Sequence, residues 1–218
     1  MTMRPSLLEK LQRKLGRYAI PNLMLYIVIG MAAVFVIDMV VAPVTGFSAS
    51  RWLMFNRSDI LRGQIWRLLT FILIPPNSSP LFIIFSLYFY WMIGTGLQNQ
   101  WGSFRFNLFY LCGIVGSVIA GFIMGSTTNT YLNMSLFLAF ALIYPDFQIL
   151  LLILPVKVKW LALIDAALLL LMLLTGTWAD RLALVMSMAN LALFFWRDGY
   201  QTIKNAYRRY QWKKNWRR

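Results

Sequence analysis

Phe104-Arg-Phe-Asn-Leu-Phe-Tyr-Leu-Cys-Gly-Ile-Val-Gly-Ser-Val-Ile-Ala-Gly-Phe-Ile-Met-Gly125 carries one charge, Arg105, and then runs apolar to its end. A helix needs about 20 such residues to cross the hydrocarbon of a bilayer, so the stretch predicts a membrane span over 104–125. Gly113, Gly116, Gly121 and Gly125 recur along it. Gly121 and Gly125 form a Gly-x-x-x-Gly pair, and small residues at that spacing let two helices approach closely.

Apolar runs lie on both sides, at roughly 23–43, 80–97, 130–144, 160–176 and 182–196. The chain of 218 residues is 60% hydrophobic and 13% charged, where a soluble domain carries about 25% charged residues. No polar stretch is long enough to fold as a soluble domain of its own. The expected fold class is an all-α polytopic membrane protein with six transmembrane helices. Residues 1–20 read as a basic amphipathic segment, 21–197 as the membrane domain and 198–218 as a second basic tail. In the first segment Leu7, Leu8, Leu11 and Leu15 share a helical face opposite Lys10, Arg13, Lys14 and Arg17, a pattern that suits a helix lying on the membrane surface.

The net charge of +14 sits mostly in the tails, from Arg4 to Arg17 and from Arg197 to Arg218. Flanking charge of this kind marks the cytoplasmic side and attracts anionic lipid headgroups; it does not call for nucleic acid. Six spans put both termini on one side, and the charges name that side as the cytoplasm. The first apolar run is too long for the core of a secretory signal, so it reads as an uncleaved span. No sorting motif is visible, and a bacterial plasma membrane is the expected setting. Cys112 has no partner for a disulfide in the chain and reads as a small core residue.

Residues 44–79 interleave Trp52, Phe55, Trp66 and Phe71 with Arg51, Arg57, Arg62 and Arg67. Aromatic and arginine side chains each have an apolar and a wet end and suit the headgroup level. A loop this long is usually structured and functional, so a large interfacial first loop is expected. Phe147–Lys159 is apolar, bracketed by Pro145 and Pro155, and too short to span; it reads as an interfacial segment on the basic side.

Three segments carry a more specific signal: Gly63-Gln-Ile-Trp66-Arg67-Leu-Leu-Thr70; Gly94-Thr-Gly96-Leu97; and Trp101-Gly102-Ser-Phe-Arg105-Phe106. In this order and spacing they resemble the pattern of the rhomboid superfamily. The run Tyr144-Pro-Asp-Phe-Gln, followed by Pro155-Val-Lys-Val-Lys-Trp, is also similar to the fourth loop of many rhomboid-like chains. The resemblance covers roughly residues 20–197. It implies a six-helix rhomboid-like bundle whose first loop lies partly in the outer leaflet, anchored by Trp66 and Arg67.

Active rhomboids need a Gly-x-Ser-Gly serine opening the fourth span, a histidine in the sixth and a His-x-x-x-Asn oxyanion motif in the second. This chain contains no histidine. The matching fourth-span region, Thr128-Asn-Thr130-Tyr-Leu-Asn133-Met-Ser135, has no Gly-x-Ser-Gly. Asp180-Arg181 stands near the histidine position, and an arginine with a pKa above about 12 is no general base. Thr130, Asn133, Ser135, Asp180 and Arg181 thus mark a vestigial active centre with no catalytic residue. No cofactor or metal is expected. The resemblance then implies a pseudoprotease of the derlin or inactive-rhomboid type, binding membrane lipids and transmembrane client proteins without cutting them. By sequence alone such a chain is still classed beside serine endopeptidases. The working surface would be the gap between the second and fifth spans.

Two other classes stay open. One is an active intramembrane serine protease with a non-standard site around Ser135. The other is a small transporter or lipid-binding scaffold. Asp38 and Asp165 bear on the latter, because a carboxylate within a membrane is costly and is a functional candidate by default. The Gly-x-Gly-Asp motif of aspartyl proteases is absent, and no lysine sits where it could pair with a serine. Asn107, Asn133 and Asn190 are polar groups on apolar spans that can bond across helices.

Overall fold

The structure, a computed structural model, describes residues 12–195 apart from 77–78, 152–153, 179, 183, 187 and 193. The leucines Leu7, Leu8 and Leu11 and the basic tail 198–218 lie outside the described residues.

Among the described residues four helical stretches are long and apolar enough to cross a membrane: Gln12–Val40, Pro80–Trp101, Ser103–Met124 and Val158–Thr175. The apolar part of the first is α1 (Leu23–Val40). It is followed by short helices α2 (Ala42–Thr45), α3 (Ala49–Leu53), α4 (Arg57–Leu61) and α5 (Arg67–Thr70). The long helices α6 (Pro80–Trp101) and α7 (Ser103–Met124) come next, then α8 (Thr130–Ile143) and α9 (Val158–Thr175). The described residues between Trp178 and Phe195 are helical as well. Pro80 opens α6, where its missing N–H would be unpaired in any case. Pro145 follows α8, and the residue before a proline disfavours helix.

The outer faces are apolar. Ile29, Val36, Leu81, Ile84, Leu111, Leu163 and Leu170 are all exposed. A soluble protein rarely shows apolar patches of such extent; lipid is the solvent that suits them. The chain is a mostly helical membrane protein.

The core forms around α8. Leu132, Ser135, Leu136, Ala139 and Phe140 are buried, and α6, α7 and α9 all pack against this helix. At 1.5 Å per residue α8 is about 21 Å long, short of the roughly 30 Å of hydrocarbon. A helix walled in by others has no need to match lipid. The span boundaries follow the apolar runs closely, with α6 continuing past Leu97 to Trp101.

Two short strand pairs qualify the expectation of a purely helical chain. β1 (Phe55–Asn56) pairs antiparallel with β2 (Ser126–Thr127), joining the first loop to the α7–α8 connection. Arg57 N–H also donates to the Gly125 carbonyl at 2.8 Å. Phe55, fully buried, is the plug: it meets Phe71 and Phe122 edge-on at 6.1 and 5.6 Å and fills the space over Gly121. β3 (Gln148–Leu151) and β4 (Leu154–Lys157) form a hairpin, Gln148 opposite Lys157. This is the segment read as merely interfacial. Two prolines deny it a helix, so it pairs with itself to satisfy its backbone groups. At its base Lys159 and Lys157 approach Asp146 at 3.1 and 3.6 Å, and the hydrogen-bonding ammonium of Lys159 holds that carboxyl below its usual range.

One packing expectation is corrected. Gly113 takes Leu132 of α8, Gly121 takes Phe55, and Gly116 faces Met186 at ordinary contact distance. A Cβ at Gly125 would meet no described atom within 4 Å. This glycine caps α7 at φ 92°, a left-handed conformation open to glycine. Gly121 and Gly125 are therefore no helix-pairing motif: one seats a loop phenylalanine and the other ends the helix.

Candidate functional site

The first loop is held by two charged groups. Arg67 is buried at 6% exposure. Its Nη1 donates to the Arg51 and Met54 carbonyls at 3.1 and 2.7 Å, its Nε to Gln64 Oε1 at 2.7 Å, and its Nη2 lies 3.5 Å from Asp59. A planar guanidinium spreads its donors over several acceptors at once, so one side chain gathers α3, α4 and the turn at Gln64 together. Trp66 points the other way. It is 38% exposed and lies against Trp52, ring centroids 5.0 Å apart. Asp38, near the end of α1, accepts from the amides of Ala49 and Ser50 at 2.6 and 3.2 Å. It ties the first span to α3.

At the far end of the bundle, Gly94 lets Met24 of α1 lie against α6, and Gly96 does the same for Phe140 of α8. Trp101 packs against Phe109, Phe194 and Phe195, with centroids at 5.4, 6.1 and 5.5 Å. Gly102 makes the α6–α7 corner at φ 79°, and Arg105 is half-buried just beyond it. None of Gly94, Gly96, Trp101, Gly102 and Arg105 lines the two lobes described next.

The cavity lies elsewhere, between α6 and α9. These helices both pack on α8 but share few close approaches with one another. A cleft of about 480 Å³ opens there, roofed by Ile74, Pro75 and Pro76 of the first loop and floored by Asn133, Met134 and Phe137 of α8. Phe89 and Tyr90 form the α6 wall, and Asp165 stands on the α9 side. A second lobe of about 310 Å³ continues between Phe85 and Phe89 on α6 and Leu161, Ile164 and Leu168 on α9. The two lobes share Phe89, Phe137 and Asp165.

This cleft is apolar with a polar floor. Asn133 is 5% exposed and its Oδ1 has no hydrogen-bond partner; Asp165 Oδ2 is buried with none either. The Tyr90 hydroxyl interacts with the Asn133 amide. Asn129 spends its amide on the Ile72 and Ile74 carbonyls at 3.2 and 2.8 Å, pinning the cleft roof to the head of α8.

The five vestigial-centre residues do not come together. Thr130 and Asn133 line the cleft. Ser135 points away, fully buried, its hydroxyl donating to the Leu132 carbonyl of its own helix at 2.8 Å. Asp180 accepts from Thr177 Oγ1 at 2.7 Å and Tyr131 at 3.0 Å. Arg181 donates to the Leu174 carbonyl at 2.8 Å and lies over Trp178. Asn190 donates across to the Phe109 carbonyl at 3.0 Å, and Asn107 to that of Ile20 at 3.1 Å. Among the described residues no group of three or more histidine, cysteine or acidic side chains is placed to hold a metal ion.

Tyr90, Asn129 and Phe137 were not singled out in the sequence. Tyr90 and Phe137 sit among many aromatics, and Asn129 between two threonines reads as an ordinary turn. No protein-family model matches the chain, and no curated protein matches it either.

Proposed function

We propose that this chain is a rhomboid-like pseudoprotease: a six-span bundle that receives transmembrane segments of client membrane proteins without cleaving them. The observation that carries the reading is the cleft between α6 and α9, open along the bundle and walled by exposed apolar side chains such as Phe85, Ile164 and Leu168. A client helix enters from lipid with its apolar surface matched on both sides. The first loop, clamped by Arg67, Asp38 and Phe55, roofs the cleft and keeps it from collapsing. In this reading α8 and the residues 178–195 supply the fourth and sixth crossings, and the basic tails place both termini in the cytoplasm, here of a bacterial plasma membrane. Lipids bathe the outer faces, and the basic tails meet anionic headgroups.

Two facts argue for binding over hydrolysis. The chain has no histidine to serve as a base, and the Ser135 hydroxyl is engaged with Leu132 away from the cleft. Nucleophilic catalysis needs a nucleophile, its base and oxyanion donors in one place.

The test is photo-crosslinking in cells from positions 85 and 168, on the two rims, with position 111 on the α7 outer face as control. Recovery of membrane proteins from the rims but not from the control supports the reading. Recovery of lipid alone from all three overturns it.

A further inference from the structure

Resting on the client-binding reading, we propose that the cleft selects transmembrane segments carrying a basic side chain near mid-membrane, received by Asp165 with Asn133 beside it. Both uncommitted polar atoms in the cleft, Asn133 Oδ1 and Asp165 Oδ2, are oxygens that accept hydrogen bonds. Two of the donors lining the cleft are spent. Asn129 gives its amide to Ile72 and Ile74, and the Thr128 hydroxyl goes to Thr130. Among the described residues no lysine or arginine lines either lobe.

Three arginines on this end of the bundle make bonds elsewhere. Arg67 holds the first loop together, Arg57 donates to the Phe122 carbonyl, and Arg181 to that of Leu174. Among the described residues no basic side chain pairs with Asp165, and in this proposal its complement comes from a partner. Asp165 stands near the middle of α9 (Val158–Thr175), so that partner presents its cation deep in the membrane. The rims say how the cation is carried. Phe85, Ile164 and Leu168 are apolar and exposed, which suits a cation sheathed in apolar side chains, as on a transmembrane helix, and not a hydrated ion. A lone basic residue in lipid is strongly disfavoured. A client with such a residue gains from reaching a carboxylate that a purely apolar client does not need.

The experiment uses the full chain in phosphatidylcholine nanodiscs. The probes are leucine–alanine helices of about 20 residues with a central Lys, Leu or Glu, and binding is read by energy transfer. The expected result is a Lys peptide held at least about tenfold more tightly than the Leu peptide. Asp165→Asn removes that margin, so that the Lys and Leu peptides bind alike. Asp165→Lys transfers the preference to the Glu peptide, which also demonstrates that the variant folds. Equal binding of the Lys and Leu peptides overturns the selectivity and leaves client binding standing. A margin that survives Asp165→Asn overturns the role of Asp165. No binding by any peptide overturns both the selectivity and the client-binding reading beneath it.

Discussion

The Asp38 carboxylate on α1 accepts a 2.6 Å hydrogen bond from the backbone amide of Ala49. Its second oxygen takes the Ser50 amide at 3.2 Å. One side chain thus holds the start of α3 against the end of the first span and satisfies amides that have no partner inside so short a helix. Asp38→Ala leaves those donors unpaired and is expected to lower stability by about 1–3 kcal/mol. Asp38→Asn keeps one acceptor and should cost less. Thermal unfolding in detergent ranks the two; equal melting temperatures for wild type and Asp38→Ala would remove this role.

Arg67 and Trp66 are neighbours with unequal weight. Arg67 makes three hydrogen bonds and an ion pair while almost wholly buried. Lysine cannot reproduce that fan of donors, so Arg67→Lys is expected to cost about 2–4 kcal/mol. Trp66 is partly exposed and contributes a ring contact with Trp52, which puts Trp66→Ala at about 0.5–1.5 kcal/mol. Unfolding midpoints in the same detergent measure both. A larger loss for Trp66→Ala than for Arg67→Lys would reverse the assignment of the anchor.

Much of the fold was legible because lipid imposes a simple rule. Runs of about 20 apolar residues must be helices, and α1, α6, α7 and α9 lie where those runs predict. The hairpin at 148–157 was not legible. A short apolar run flanked by prolines fits a strand or an irregular segment equally well by periodicity. Asp38 and Asp165 looked alike in sequence, each a lone carboxylate in an apolar run. Sequence conveys depth in the membrane but not the partner, and only folding brings the Ala49 amide to Asp38 while leaving Asp165 Oδ2 open in a cleft. The motif that pointed to Trp66 and Arg67 located the loop anchor without dividing the work between the two. Ser135 and Asn133 sit two residues apart on α8, roughly 200° around a helix, so they face opposite ways and only Asn133 reaches the cleft.

The helix glycines also divide by what faces them. A Cβ at Gly94 would overlap Met24 Cβ and Cγ, close to the α1 backbone, where little can give. Gly94→Ala is expected to push α1 and α6 apart at a cost of about 1–3 kcal/mol. At Gly116 the added Cβ would lie 3.5 Å from Met186 Cβ, an ordinary contact. Gly116→Ala should be neutral or gain up to about 1 kcal/mol, because alanine loses less backbone freedom than glycine in a helix. Melting temperatures of the two variants should move in opposite directions or differ by several degrees. A Gly94→Ala protein as stable as wild type would mean that the two helices are not in the close contact described.

Ser135 is the residue on which a hydrolytic alternative depends. Its hydroxyl donates to the Leu132 carbonyl at 2.8 Å, it is fully buried, and the chain has no histidine to activate it. Removing the hydroxyl deletes one hydrogen bond to a carbonyl that already serves the helix ladder. Ser135→Ala should therefore change stability by no more than about 0.5–1.5 kcal/mol and leave crosslinking from positions 85 and 168 intact. Incubating purified protein with a transmembrane substrate should yield no cleavage in either form. Cleavage by wild type that disappears in Ser135→Ala would sink the binding-only reading, since it would require the serine to turn out of α8 toward the cleft. Asn133→Leu is the contrasting variant. It strips the cleft floor of its buried acceptor, so it should weaken capture of basic-residue clients while leaving Ser135 and its bond to Leu132 in place.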